Sequence, residues 1–154
     1  MRRALTLFVL SIGLLAQTKY TGAKPDKKDV PYLVHAATLV QTEIVHSTPK
    51  EDGGHTVWSL PGESSLAKTP LALPIFLIDA GTLAPLKLRL YAFEPKNGRR
   101  ELTLGRDVDA DPILLTVANV SGTLFRIELV NEVPNGEYGL TIPGSNQFFC
   151  FSVF

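Results

Sequence analysis

The sequence predicts an all-β fold, an antiparallel sandwich of about eight short strands behind an N-terminal signal peptide. Three observations carry that expectation. After Val30, apolar residues alternate with polar ones instead of recurring every three or four positions. Turn pairs such as Asn97-Gly98, Ser121-Gly122 and Pro143-Gly144 interrupt the alternation at strand-sized intervals. The opening residues, "MRRALTLFVLSIGLLA", have the layout of an export signal.

In that opening, Arg2 and Arg3 precede an uncharged, mostly apolar run of 13 residues, Ala4 to Ala16. A basic head, a short apolar body and a small residue at the cut define a cleavable signal, here residues 1–16. A membrane span needs roughly 20 apolar residues, so none is expected after cleavage. Cleavage removes two of the 15 basic residues and no acid, leaving 13 Lys/Arg against 15 Asp/Glu in 138 residues. So even a balance offers no attraction for nucleic acid or an anionic membrane. A chain of this length is one ordinary domain, able to bury a core without staples. Cys150 is the single cysteine, so the chain has no internal disulfide to form, and a monomer is expected.

Residues 17–29, "QTKYTGAKPDKKD", are polar and lysine-rich and read as a linker ahead of one domain, 30–154. "ATLVQTEIVH" and "HTVWSL" read as strands around the loop "STPKEDGG". "PGESSLAKTPLALP" holds three prolines and no periodicity, and reads as a long loop. "LPIFLIDA" is a short apolar run, as expected of a strand buried on both faces. In "LKLRLYAF", Leu86, Leu88, Leu90 and Ala92 fall on one face and Lys87, Arg89 and Tyr91 on the other. Asn97-Gly98 then turns the chain, because both residues accept the positive φ of a tight hairpin, and "ELTL" returns. "PILLTVANV" and "TLFRIELV" form a second pair in which Phe125, Ile127 and Leu129 face inward. "EYGLTI" places Tyr138, Leu140 and Ile142 on one side, and "QFFCFSVF" follows the turn "PGSN".

The last strand reads as apolar on both faces: Phe149, Phe151 and Val153 on one, Phe148, Cys150, Ser152 and Phe154 on the other. Such a strand belongs inside a sheet and not at an exposed edge. Cys150 is therefore expected to be a buried small hydrophobe with a raised thiol pKa. "VPNGEYGL" resembles the tyrosine-corner region of immunoglobulin-like and fibronectin type III-like sandwiches. That resemblance implies an immunoglobulin-like sandwich and a bond from the Tyr138 hydroxyl back to the turn backbone. The segments "AKTPLALPIFLI", "LYAFEPKNGRRELT" and "GSNQFFCF" resemble motifs of a group of bacterial secreted proteins without an assigned activity. That likeness implies no catalytic or binding residue.

Two patterns point to metal chemistry. Asp107, Asp109 and Asp111 are spaced two apart, so an extended loop would let three carboxylates converge on calcium. His35, His46 and His55 would suit zinc or copper if the fold gathered them, with His46 and His55 flanking "STPKEDGG". "GESSL" lacks the second glycine of a nucleophile elbow, and no nucleophile–base set stands out, so no enzyme activity and no cofactor are expected. Trp58 belongs either on an exposed strand face or in the core.

The expected function is a non-enzymatic interaction or structural module of the cell envelope, periplasmic or extracellular. It would meet a protein or envelope partner through the "PGESSLAKTPLALP" loop or a sheet edge. The alternative is a periplasmic carrier of a small ligand or of copper, zinc or calcium. Export has a direct check: mass spectrometry of envelope fractions should find a mature chain beginning near Gln17. Full-length chain retained in the cytoplasm would contradict the reading of residues 1–16.

Overall fold

The computed structural model describes residues 20–105 and 110–154. The expected signal, residues 1–16, lies outside them. Among the described residues there is no α-helix, and none is long and apolar enough to cross a membrane. The strands, in chain order, are β1 (Tyr32–His35), β2 (Thr38–Gln41), β3 (Glu43–His46), β4 (Lys50–Asp52), β5 (His55–Pro61), β6 (Lys68–Thr69) and β7 (Ile75–Asp79). They continue with β8 (Arg89–Lys96), β9 (Arg99–Leu104), β10 (Leu115–Ser121), β11 (Leu124–Leu129), β12 (Gly136–Thr141) and β13 (Gln147–Val153).

These strands make two sheets. The first has five strands in the order β10-β11-β7-β1-β2. The second has eight, in the order β3-β13-β12-β8-β9-β5-β4, with the short β6 lying beside β13. All pairings among these strands are antiparallel except β6 with β13. The all-β, antiparallel expectation holds, with more and shorter strands than the alternation suggested.

The two sheets face each other across a core that includes Leu33, Phe76, Ile78, Leu90, Ile127, Leu140, Phe149 and Phe151. A second, smaller core lies on the other side of the eight-stranded sheet. Val45, Trp58, Leu60, Phe93, Leu102, Phe148 and Cys150 form it. It exists because that sheet curls until β3 approaches β5: the Ser47 hydroxyl donates to the Ser59 carbonyl at 3.0 Å. Strand β13 is apolar on both faces because each face covers a different core. Phe151 meets Phe76 edge-on at 5.0 Å on one side, and Phe148 meets Trp58 at 5.1 Å on the other.

The local signals explain most element boundaries. Asn97 (φ 52) and Gly98 (φ 76) make the two-residue turn between β8 and β9, with Lys96 opposite Arg99. "ATLVQTEIVH" is not one strand. It breaks at buried Thr42, whose N–H and hydroxyl both donate to the Pro31 carbonyl, and the chain crosses there from the first sheet to the second. The face predicted from Leu86, Leu88, Leu90 and Ala92 holds only for Leu88 and Leu90. Pro85 sets a 3-10 turn over Pro85–Lys87 that leaves Leu86 exposed. Beyond Leu90, β8 passes from one core to the other, so Phe93 is buried and Ala92 is exposed.

The end of the segment read as a linker is tied down. Lys28 bridges to Asp79, and the Asp29 carboxylate accepts the backbone N–H groups of Gly81, Thr82 and Leu83 at 2.6–2.9 Å. Burial works to raise the Asp29 pKa, but those donors outweigh it and hold the carboxyl below its usual range.

The tyrosine corner is present. The Tyr138 hydroxyl donates to the Pro134 carbonyl at 2.6 Å, and its ring stacks on Phe151 at 5.5 Å. Tyr138→Phe keeps the ring and removes the bond, so it should destabilise the fold by about 1 kcal/mol. Denaturant unfolding measures this, and an unchanged midpoint would mean that the bond contributes nothing.

Candidate functional site

The most unusual chemistry in the described residues is a fully buried arginine. Strand β9 alternates so that Arg100, Leu102 and Leu104 point into the curl of the eight-stranded sheet, while Arg99 and Glu101 point out. Arg100 is 1% exposed. Its guanidinium grips Glu43 on β3 with two bonds, Nη1 to Oε2 at 2.9 Å and Nη2 to Oε1 at 3.3 Å. It also donates to the carbonyls of Pro61 (2.9 Å) and Gly62 (3.2 Å). Glu137 on β12 lies 3.9 Å from the same guanidinium.

That cluster fixes the loop 62–67. Glu137 accepts the Ser65 N–H at 2.8 Å and the Ser152 hydroxyl at 2.7 Å. The Ser64 hydroxyl reaches Ser152 Oγ at 3.1 Å. Ser64, Ser152 and Glu137 form a line that could pass a proton from an exposed hydroxyl toward a carboxylate. Glu137 accepts the Ser65 N–H as well as the Ser152 hydroxyl and lies beside Arg100. The line ties the loop 62–67 to β12 and β13. The segment read as aperiodic does alternate: Ser65, Ala67 and Thr69 are buried, and Leu66 between them is 88% exposed.

Cys150 lies in the second core near these charges, free and buried. Burial pushes its thiol up to about 12, outweighing the attraction of Arg100, while Glu43 and Glu137 push the same way as burial. The chain around Cys150 offers no cation, and the fold brings one from β9, yet the thiol stays neutral. Gly139 makes the room. A methyl there would come within 2.7 Å of the Phe93 ring and 3.6 Å of Cys150 Sγ.

The histidines are spread out. His35 ends β1 in the five-stranded sheet, whereas His46 ends β3 and His55 begins β5 in the eight-stranded sheet. His46 and His55 do not oppose each other across a hairpin, because the hairpin is β4–β5, with Asp52 opposite His55, and His46 pairs with Gln147. Among the described residues, the buried His35 Nε2 and His55 Nδ1 have no hydrogen-bond partner, and His55 Nδ1 packs on Gly105. Asp111 is exposed, and Asp107 and Asp109 lie outside the described residues. Among the described residues, no three His, Cys, Asp or Glu side chains lie close enough to share a metal ion.

Among the described residues, the edges of the sheets differ. β4, at the edge of the second sheet, is Lys50-Glu51-Asp52 and wholly exposed. β10, at the edge of the first, is "LTVANVS", seven residues without a charge. Leu115 and Val117 on it are half-buried against the main core. Beside it runs a groove of about 280 Å³ lined by Leu86, Leu88, Arg89, Leu114, Leu115 and Val117. Leu86 and Leu114 are 70% and 65% exposed. Compared with known proteins, the chain matches no family model, no curated protein and no solved structure.

Reactivity at Cys150 tests the second core. With a pKa of about 12, only about one thiol in ten thousand is ionised at pH 8, and burial blocks access as well. Native protein should label slowly with a thiol reagent and run as a monomer on non-reducing gels. Denatured protein should label fully and fast. Because the fold holds the thiol neutral, stability is intact below the free-thiol pKa of about 8.5 and declines as pH rises above it. Rapid labelling of the native protein would overturn this placement.

Proposed function

We propose that the protein is an exported, non-enzymatic interaction module that receives an extended, apolar-alternating segment of a partner protein along the free edge of β10. The carrying observation is the uncharged β10 edge beside a leucine-lined groove that also carries Arg89. An edge strand turns a row of N–H and C=O groups outward, and most proteins blunt that row with lysine, proline or shortness. Here seven residues present it without a charge, and only a bulge between Asn119 and Ser121 interrupts it. Backbone pairing would supply affinity, and every second side chain of the added strand would settle over Leu115 and Val117. The charge balance of the exported chain fits a protein partner better than nucleic acid or an anionic surface.

Export follows from the signal-like opening, and the immunoglobulin-like arrangement, supported by the Tyr138–Pro134 bond, belongs to the same proposal. Non-enzymatic action is supported by the committed state of Glu137 and the neutral thiol of Cys150.

A photo-reactive amino acid at Thr116 in exporting cells should capture one defined extended segment of a partner. The same group at Glu51, on the charged β4 edge, should not. Val117→Lys should abolish capture while thermal unfolding shows the fold intact. Equal yields at Thr116 and Glu51, or no adduct at Thr116, would overturn the proposal.

A further inference from the structure

The β10 edge has two different ends. Ahead of Leu115 the chain leaves the first sheet: Ile113 bridges to Leu90 on β8, its N–H donating to the Leu90 carbonyl at 2.8 Å. The Leu114 carbonyl accepts the Val130 N–H at 3.0 Å, which fixes this approach. Backbone pairing along β10 therefore stops at Leu115, and the open groove of about 280 Å³ begins there. Toward the other end, the bulge between Asn119 and Ser121 interrupts the row. The run from Leu115 to Asn119 is what a regular partner strand can pair with.

Direction follows from the sheet. Every pairing among β10, β11, β7, β1 and β2 is antiparallel, the slightly stronger kind. A strand added antiparallel to β10 enters near Ser121 and reaches Leu115 with its C-terminal end. That end meets the groove, where Leu86, Leu114 and Arg89 stand together. Leu86 and Leu114 offer exposed apolar surface. Arg89 is exposed as well, and its Nη1 donates to the Leu88 carbonyl at 3.0 Å. Among the described residues it has no ion-pair partner. A guanidinium with one donor used keeps others, and its planar fork suits a carboxylate.

The geometry points to capture of a free C-terminus: the segment received by β10 ends in a large apolar residue whose side chain fills the groove and whose terminal carboxylate pairs with Arg89. A segment from mid-chain would have to turn out of the groove, because β10 offers nothing to pair with beyond Leu115. A parallel strand with its amino terminus there would set a positive charge against Arg89. In the antiparallel, chain-ending arrangement, backbone bonds, burial against leucines and a charge-assisted bond all act together. This inference rests on the reading of β10 as a receiving edge and names the class of its partner.

Two synthetic peptides test it, each of about eight residues, alternating threonine and valine and closed by leucine. One ends in a free carboxylate and the other in an amide. NMR titration of the intact, isotope-labelled protein should show both peptides shifting the amides of Thr116 to Asn119. The free acid should bind about tenfold more tightly, the effect of one hydrogen-bonded charge pair. In Arg89→Gln the two peptides should bind within about twofold of each other. A spin label on the first residue of the acid peptide should broaden Ser121 and Gly122 and spare Leu115. The affinity comparison and the spin label use unaltered protein, so they decide the matter even if the variant misfolds. Equal affinities for unaltered protein, an acid preference that survives a folded Arg89→Gln, or broadening at Leu115 would each overturn C-terminal capture and leave the β10 edge reading standing. No shift along β10 with either peptide would overturn both.

Discussion

The second half of the fold depends on one buried ion pair. Arg100 closes the curled eight-stranded sheet by reaching from β9 to Glu43 on β3, two strands that share no backbone bonds. Burying a guanidinium costs several kcal/mol in lost hydration. That cost is met only because four bonds reach it: two from the Glu43 carboxylate and one each from the Pro61 and Gly62 carbonyls. Only arginine carries a rigid fork wide enough for both the carboxylate and the loop carbonyls. A lysine would satisfy one partner and strand the rest. Taking away Glu43 alone would leave the buried guanidinium with only Glu137, at 3.9 Å, as a counter-charge, and breaking comparable buried pairs costs about 3–5 kcal/mol. The same guanidinium sets the start of the 62–67 loop, so closure of the sheet and position of the loop are one event.

Strand β13 couples this second core to the first. Its odd residues, Phe149, Phe151 and Val153, belong to the main core, and its even residues, Phe148 and Cys150, to the smaller one. Each core alone is modest. Sharing a strand lets a change on one face register on the other, because close-packed interiors transmit displacement instead of absorbing it. The neutral thiol of Cys150 is part of this arrangement. It fills the space above Gly139 as a small apolar group, with burial, Glu43 and Glu137 all working to keep it neutral against the pull of Arg100.

Much of this was legible in the sequence, and the parts that were not share a cause. Period-two alternation revealed β8, β11, β12 and β13, and Asn97-Gly98 revealed its hairpin, because those signals are local. The tyrosine corner was visible in "VPNGEYGL" for the same reason. The candidate site was far less legible. Arg100, Glu43 and Glu137 are ordinary surface residues by type, and only parity could have exposed them. Arg100 shares a face with Leu102 and Leu104, Glu43 with Val45, and Glu137 with Gly139 and Thr141. Partnership between them is set by sheet curl, which no single strand encodes. The alternation in "SSLAKT" was hidden because its buried members are Ser65, Ala67 and Thr69, too small and polar to register as a hydrophobic face. The histidine grouping was a matter of register, and it dissolves once β4 takes the place opposite β5.

The fold's treatment of its edges bears on where it meets other molecules. β4 is guarded by Lys50, Glu51 and Asp52, and β2 is only four residues long with Thr38 and Gln41 at its ends. Both follow the usual means of preventing sheets from pairing at random. β10 has neither charge nor shortness, only the bulge between Asn119 and Ser121. It sits against the groove where Leu86 and Leu114 remain in solvent, and Leu115 and Val117 lean only partly over the main core. An uncharged edge with incomplete cover is a hazard unless something pairs with it. Unlike β4 and β2, β10 is both uncharged and seven residues long, and that contrast is what the proposed strand-binding role rests on.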